Sequence, residues 1–336
     1  MRPPPLTAPA RRRASWRGAI GAWSLAALAA CVPAPAPEAP GPGPTDARPL
    51  PAPARDEAGT EAPVSAGPSQ ASLNMQAYLL GVEERLIARG RLRTDDGREV
   101  RVDTARLVQT FVDVALRDEY VREGERLVRR TMPAPLRRWD TPVRFQIVHG
   151  DSVTAEQRRK DRLAVAGLAA RLQSATGHPA ALTGAGGNFT LLIVNEDERR
   201  AIGPRLSALV PGIPASDVRA IIDLSPQIFC SVFAYSRPGS PVYAQAVAVI
   251  RAESGPRLRS SCLHEEMAQG LGLANDDPKA RPSIFNDDEE FAHLTWLDEL
   301  LLKMLYDDRL RPGMQEAEAL PVIRRIAAEL IPPPGS

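Results

Sequence analysis

The chain is short of the features that usually announce a function. Its basic and acidic side chains nearly balance, leaving a formal net charge of +1, so there is no basic excess for nucleic acid. Aromatic residues make up 5% of the chain, too few to supply a stacking surface for bases. No apolar run reaches the 18 residues or so that span a bilayer. No internal repeat of fixed period is visible. Cysteine occurs three times in 336 residues, which gives each occurrence weight. What is present is ordinary globular material: 43% of the residues are hydrophobic, enough for a sizeable core.

The N-terminus departs from that composition. A basic start, "MRPPPLTAPARRRASWRG", leads into "AIGAWSLAALAA", an apolar run of about a dozen residues that fits the central region of a signal peptide. The run ends at "LAAC", residues 28–31. One large apolar residue, two small ones and a cysteine resemble a bacterial lipobox, in which Cys31 carries the lipid. Residues 1–31 are therefore expected to be a lipoprotein signal peptide, and the mature chain to sit in the bacterial cell envelope, lipid-anchored and facing the periplasm. Residues 32–70 follow as a Pro/Ala-rich stretch: 11 of the 33 prolines lie between Val32 and Pro68. Such a segment has little to bury and lacks an N–H at every proline, so it reads as a disordered, extended tether. At about 3.1 Å per residue it would reach on the order of 100 Å from the membrane.

Residues 71–138 read as a helical lead-in. Leu73, Tyr78, Leu79, Val82, Leu86 and Ile87 recur at helical spacing before Gly90. A second amphipathic helix is expected over 103–124, capped by Asp103 or Thr104 and ended by Gly124. Residues 139–336 are expected to form the main domain. Strands are read over 143–150, 189–196, 229–236 and 242–253, the last two joined as a hairpin by "RPGSP". Helices are read over 154–177, in short pieces over 197–224, and over 260–272, 289–307 and 316–330. The fold class is α+β: a mixed sheet of about four strands packed by helices. Cys230 on the third strand and Cys262 on the following helix either bridge or remain two buried thiols.

The stretch that carries chemistry is "CLHEEMAQGLGLAND", residues 262–276. A zinc-protease helix sets two histidines one turn apart, so both face the metal, with a glutamate beside the first to polarise bound water. In metzincins a glycine then ends the helix and a third histidine follows. Aligned on that pattern, this chain has Glu265, Glu266, Gln269, Gly272 and Asn275. Glu266 falls on the catalytic glutamate and Gly272 on the glycine, but all three zinc positions are changed. Starting instead at His264 puts Ala268 one turn on, which fails as well. Downstream, "PSIFNDD" (282–288) occupies the place of the metzincin Met-turn, with Phe285 where the methionine would be. "HLTWLDELLLKMLY" (293–306) matches the following helix through Leu294, Thr295, Asp298, Leu305 and Tyr306. The resemblance implies a zincin-like core without its zinc set.

The region 140–330 also resembles an uncharacterised bacterial envelope family, a domain of unknown function numbered 2927. The stretches "RWDTPVRFQIVHG", "ARLQSATGH", "CLHEEMAQGLGLAND", "PSIFNDDEEFAHLT" and "DELLLKMLYDDRLRPGM" carry it. The resemblance implies that the Glu–Glu–Gln–Asn pattern belongs to that family, and it supplies no activity.

Three functions follow. In the first, the degenerate domain binds or supports an envelope protein, a peptide or a glycan, and Glu265, Gln269 and Asn275 form a hydrogen-bonded polar cluster. Amide and carboxylate oxygens suit zinc poorly. In the second, those oxygens hold Ca²⁺, Mg²⁺ or Mn²⁺ in a hydrolase whose base is Glu266, helped by Asp276, Asp277, Asp287 or Asp288, with His264 or His293 reaching in. In the third, Glu265 and Glu266 act without metal, although neighbours on a helix do not face each other. The remaining motifs read as structure. "NDDEE" (286–290) is an N-cap and acidic first turn, His149 and His178 sit at element ends, and "GAGGN" (184–188) precedes a strand rather than a helix. Ser260 and Ser261 lie beside His264 with no readable oxyanion site.

Overall fold

The computed structural model describes residues 67–123, 126–286 and 288–332. The expected signal peptide, Cys31 and all but the last residues of the expected tether lie outside the described residues, as does Asp287. No helix among the described residues is long and apolar enough to cross a membrane.

The sheet follows from four apolar stretches. β4 (Val143–His149), β6 (Phe189–Val194) and β8 (Val242–Arg251) run parallel side by side. β5 (Ala180–Leu182) extends the sheet beyond β4. β3 (Arg138–Trp139) pairs in parallel with the first residues of β8. β7 (Cys230–Ser236) runs antiparallel along the outer edge of β8. The sheet thus has six strands rather than about four. Strands of two and three residues are too short to display the alternation that marks a strand in a sequence.

β6 is buried along its whole length because both faces of the sheet are covered. Phe189, Leu191 and Ile193, with Ala246, Ala248 and Ile250 of β8, face the larger core. Leu192, Val194, Val247 and Val249 face the opposite layer. That second layer consists of three short helices, α4 (Glu196–Ala201), α5 (Gly203–Leu209) and α6 (Ala215–Ile222). The larger core is covered by α3 (Ala155–Thr176), α7 (Pro256–Gln269), α8 (Trp296–Leu305) and α9 (Glu316–Leu330). α3 has the ends expected of it: the Thr154 hydroxyl accepts from the Gln157 N–H, and Gly177 closes the helix in the left-handed conformation at φ 70°.

The lead-in differs from expectation. α1 (Gln70–Ala88) forms as read. The second helix, α2 (Thr104–Ala115), is capped by Asp103 but stops at Leu116. The chain then folds into an antiparallel hairpin of β1 (Arg117–Glu123) and β2 (Arg126–Pro133). Cross-strand pairing decides this segment over its helical periodicity. Moreover, Leu107, Phe111 and Val114 of α2 belong to the main core, so α2 is not a separate lead-in. The expected helix 289–307 is also shorter. Glu289 has φ 57°, which an α-helix does not accommodate. α8 instead starts after Thr295, whose hydroxyl accepts from the Asp298 N–H while the Asp298 carboxylate accepts from the Thr295 N–H. The N-cap expected at 286–290 is therefore displaced by several residues.

Candidate functional site

α7 is the element on which the site is built. It leaves β8 through Gly255, starts on Pro256 and ends at Gln269. A disulfide between Cys230 and Cys262 (Cα–Cα 5.8 Å) ties edge strand β7 to the middle of α7. Past the helix, Gly272 turns the chain at φ 129°. A Cβ there would run into the Arg137 carbonyl oxygen, so only glycine fits. Tyr306 donates its hydroxyl proton to the Leu271 carbonyl (3.1 Å), holding this end of the helix against α8.

The loop beneath is held by Asp298. Its buried carboxylate accepts from the Ser283 hydroxyl (2.5 Å), the Ile284 N–H (3.2 Å) and the Thr295 N–H (2.7 Å). Burial pushes this carboxyl up to about 6, against those hydrogen bonds, which favour its charged form. Phe285 follows, completely buried, and its carbonyl accepts from the Asp277 N–H (2.8 Å). The Thr295 and Asp298 spacing noted in the sequence is thus a helix cap that also staples the 282–285 loop.

Between β7, the hairpin and α7 lies a cleft. One compartment, about 450 Å³, is lined by Glu119, Glu265, Glu266, Asp276 and Glu289, with Gln269, Asn286, Tyr120 and Arg129. Five carboxylates therefore face one guanidinium among the described residues, and that guanidinium pairs with Glu119 (2.9 Å). A second, more apolar compartment of about 410 Å³ adjoins it along Val232, Phe233, Leu224, Tyr243 and Ala274. The two share Glu119, Tyr120, Ile228, Ser231 and Gln269.

The sequence-derived candidates separate here. Glu265 and Glu266 are consecutive on the helix, yet each brings a carboxylate oxygen within 4.8 Å of the other. Glu266 is 2% exposed, and its Oε2 has no hydrogen-bond partner. Burial first, and then the charge of Asp276, push both carboxyls well above the usual carboxylate range. Gln269 lines both compartments, but its amide nitrogen is fixed on Asp276 Oδ1 (2.9 Å). Asn275 lines neither compartment: its amide nitrogen donates to the carbonyls of Asp113 and Asp276 (both 2.8 Å). Its Oδ1 is buried without a hydrogen-bond partner. Cys230 Sγ lies within the same 4.8 Å group, but as half of a disulfide it is not a thiolate ligand.

The other candidates fall away from the cleft. His264 and His293 stack on each other (centroids 4.4 Å apart) and neither lines a compartment. His264 accepts from the Leu294 N–H (3.1 Å), and Ser260 bonds to His293 (2.9 Å). Asp277 caps the Lys279 N–H, and Asp288 pairs with Arg91 (2.5 Å). His149 bonds to buried Asp161 (3.0 Å) and His178 to the Thr141 carbonyl (2.9 Å), both as structural groups. Conversely, Glu119, Tyr120, Arg129 and Glu289 line the cleft without belonging to the 262–276 motif. Strand alternation would send Glu119 and Tyr120 to opposite faces, but the pairing of β1 shifts register between Asp118 and Tyr120. A bulge there turns both toward the cleft. Burial and the Glu119 charge push the Tyr120 hydroxyl up to about 12.

The match of a family model to residues 104–325 settles what can be said of kinship. The chain belongs to the DUF2927 family of proteins of unknown function. The matched span includes α2, the hairpin and every residue lining the carboxylate compartment except Val82 and Leu86. No curated protein and no solved structure matches the chain.

Proposed function

We propose that this chain is an envelope lipoprotein whose zincin-like core has lost its zinc site and keeps the cleft for binding an extended peptide. One observation carries the reading. Glu265, Gln269 and Asn275 stand where the zinc histidines would, no histidine lines the cleft, and Asn275 lines neither compartment. The zincin-like frame is supported by the strand hairpin running into α7, the Gly272 turn, buried Phe285 and the clamp made by Thr295, Asp298 and Tyr306. The peptide is supported by β7: one edge pairs with β8, and Ser231–Ala234 line the cleft. A strand edge beside an apolar groove suits addition of a further strand, with side-chain pockets for specificity. The lipobox at Cys31 supports the lipid anchor, and the Cys230–Cys262 disulfide agrees with an oxidising compartment.

The test uses a mixture of fluorescein-labelled random peptides of about twelve residues, long enough to pair along a strand of ordinary length. Anisotropy is expected to rise saturably with protein, and Ala274→Trp, which fills the apolar compartment, is expected to weaken binding at least tenfold. No saturable binding, or no effect of Ala274→Trp, would overturn the proposal. A second reading, hydrolysis with Glu266 as base, is favoured by the unpartnered Oε2 of that residue. Cleavage of the same peptides, lost in Glu266→Gln, would replace binding by this reading.

A further inference from the structure

The carboxylate compartment poses a physical problem that peptide binding does not solve. Burying like charges is expensive unless an opposite charge or a proton compensates them. Arg129 answers Glu119. Asp276 receives the Gln269 amide (2.9 Å). Glu265 and Glu266 have no hydrogen bond or ion pair from any side chain among the described residues, and Glu266 Oε2 is buried in the wall of an open compartment of about 450 Å³. A carboxylate oxygen that is buried, unpartnered and beside a second carboxylate is aimed at something the chain itself does not supply.

We propose that Glu265 and Glu266 hold a hard divalent cation, calcium in preference to magnesium or zinc, at the acidic end of the cleft. The inference deepens the zinc-free reading of the cleft and rests on it. The donor chemistry comes first: carboxylate oxygens are hard ligands, and a site made of them suits calcium, magnesium or manganese rather than zinc. Geometry narrows the choice. Two oxygens bound to one calcium at about 2.3–2.6 Å lie at most about 5 Å apart, and the Glu265 and Glu266 oxygens lie within 4.8 Å of each other. Consecutive helix residues do not present a regular octahedral set. Calcium accepts irregular coordination by six to eight oxygens, whereas magnesium demands near-ideal octahedral geometry. The compartment has room for the waters that would complete the shell. Zinc would need imidazole or thiolate: no histidine lines the compartment, and Cys230, its one cysteine, is bonded to Cys262. Glu119, Arg129 and Glu289 line the same compartment.

The experiment is a calorimetric titration of the full chain in detergent micelles, stripped with EDTA and freed of chelator. CaCl₂, MgCl₂, MnCl₂ and ZnCl₂ are added separately. Calcium is expected to bind at one ion per chain, with a dissociation constant no weaker than about 1 mM, the range of extracellular calcium modules, and to raise the melting temperature. Glu265→Gln and Glu266→Gln are each expected to weaken it at least tenfold. If one variant fails to fold by circular dichroism, the other and the wild-type titration still decide. Absence of calcium binding up to about 10 mM, ten times that limit, overturns the inference and leaves the peptide reading to its own test with Ala274→Trp. Zinc binding tighter than calcium overturns both this inference and the zinc-free reading. Calcium binding unchanged in both variants overturns the assignment of these residues.

Discussion

Replacing Glu196 by alanine is expected to cost about 3–5 kcal/mol of stability, enough to leave much of the chain unfolded at 37 °C. Glu196 lies at the start of α4 and is 3% exposed. It pairs with Arg199 (2.8 Å), Arg200 (2.8 Å) and Arg251 (2.7 Å). Arg199 and Arg251 are themselves 2% and 1% exposed. Alanine would remove the carboxylate with which both buried guanidiniums pair, the costly way to break a buried pair. The effect reaches the cleft, because Arg251 also donates to the carbonyls of Leu224 (2.9 Å) and Ser225 (2.8 Å), which border the apolar compartment. Burial pushes the Glu196 carboxyl up, but hydrogen bonds from Arg199, Arg200 and Arg251 outweigh it and hold it at about 2. A carboxyl lowered on folding stabilises above its unfolded value of about 4.5 and loses that contribution as the pH falls toward about 2. Urea unfolding from pH 7 down to pH 3 is therefore expected to show a fall in stability that Glu196→Gln largely removes. A stability change under about 1 kcal/mol in Glu196→Ala would contradict this network's role, since that is the range of surface substitutions.

Loss of the Cys230–Cys262 bond is expected to cost about 3–4 kcal/mol. The two cysteines are separated by 32 residues, and closing a loop of that length removes considerable freedom from the unfolded chain. The bridge has a local role as well. It fastens β7 to α7, and therefore one wall of the cleft to the helix that carries Glu265 and Glu266. The double variant Cys230→Ser/Cys262→Ser, compared with wild type by urea unfolding with and without reductant, measures both effects. Equal stability of wild type with and without reductant would contradict the expectation.

Much of this architecture could be read in advance where the signal is local. The caps at Thr154 and Gly177, the apolar run of β6 and the β7–β8 hairpin depend on neighbouring residues, and each forms as its sequence suggests. The spacing of Glu265, Glu266, Gln269 and Gly272 likewise identifies α7 as the element on which the cleft depends. Where distant pairing decides, the local signal misleads. Residues 117–123 keep helical periodicity but pair across a hairpin with a register shift, and so Glu119 and Tyr120 enter the cleft unannounced. Asn275 shows the same limit at the site itself. Its place in the motif suggests a ligand, whereas its amide nitrogen meets the Asp113 carbonyl at the end of α2, a contact no local pattern announces. Residues 286–290 read as a helix start, whereas the chain takes a left-handed turn at Glu289.

In the proposed reading the cleft holds no zinc and presents carboxylates instead. Elemental analysis of the full chain, purified without chelator, tests it most directly. Zinc far below one ion per chain is expected, both in wild type and in Glu265→Ala. Stoichiometric zinc that is lost in Glu265→Ala and Gln269→Ala would contradict it and restore these positions as metal ligands.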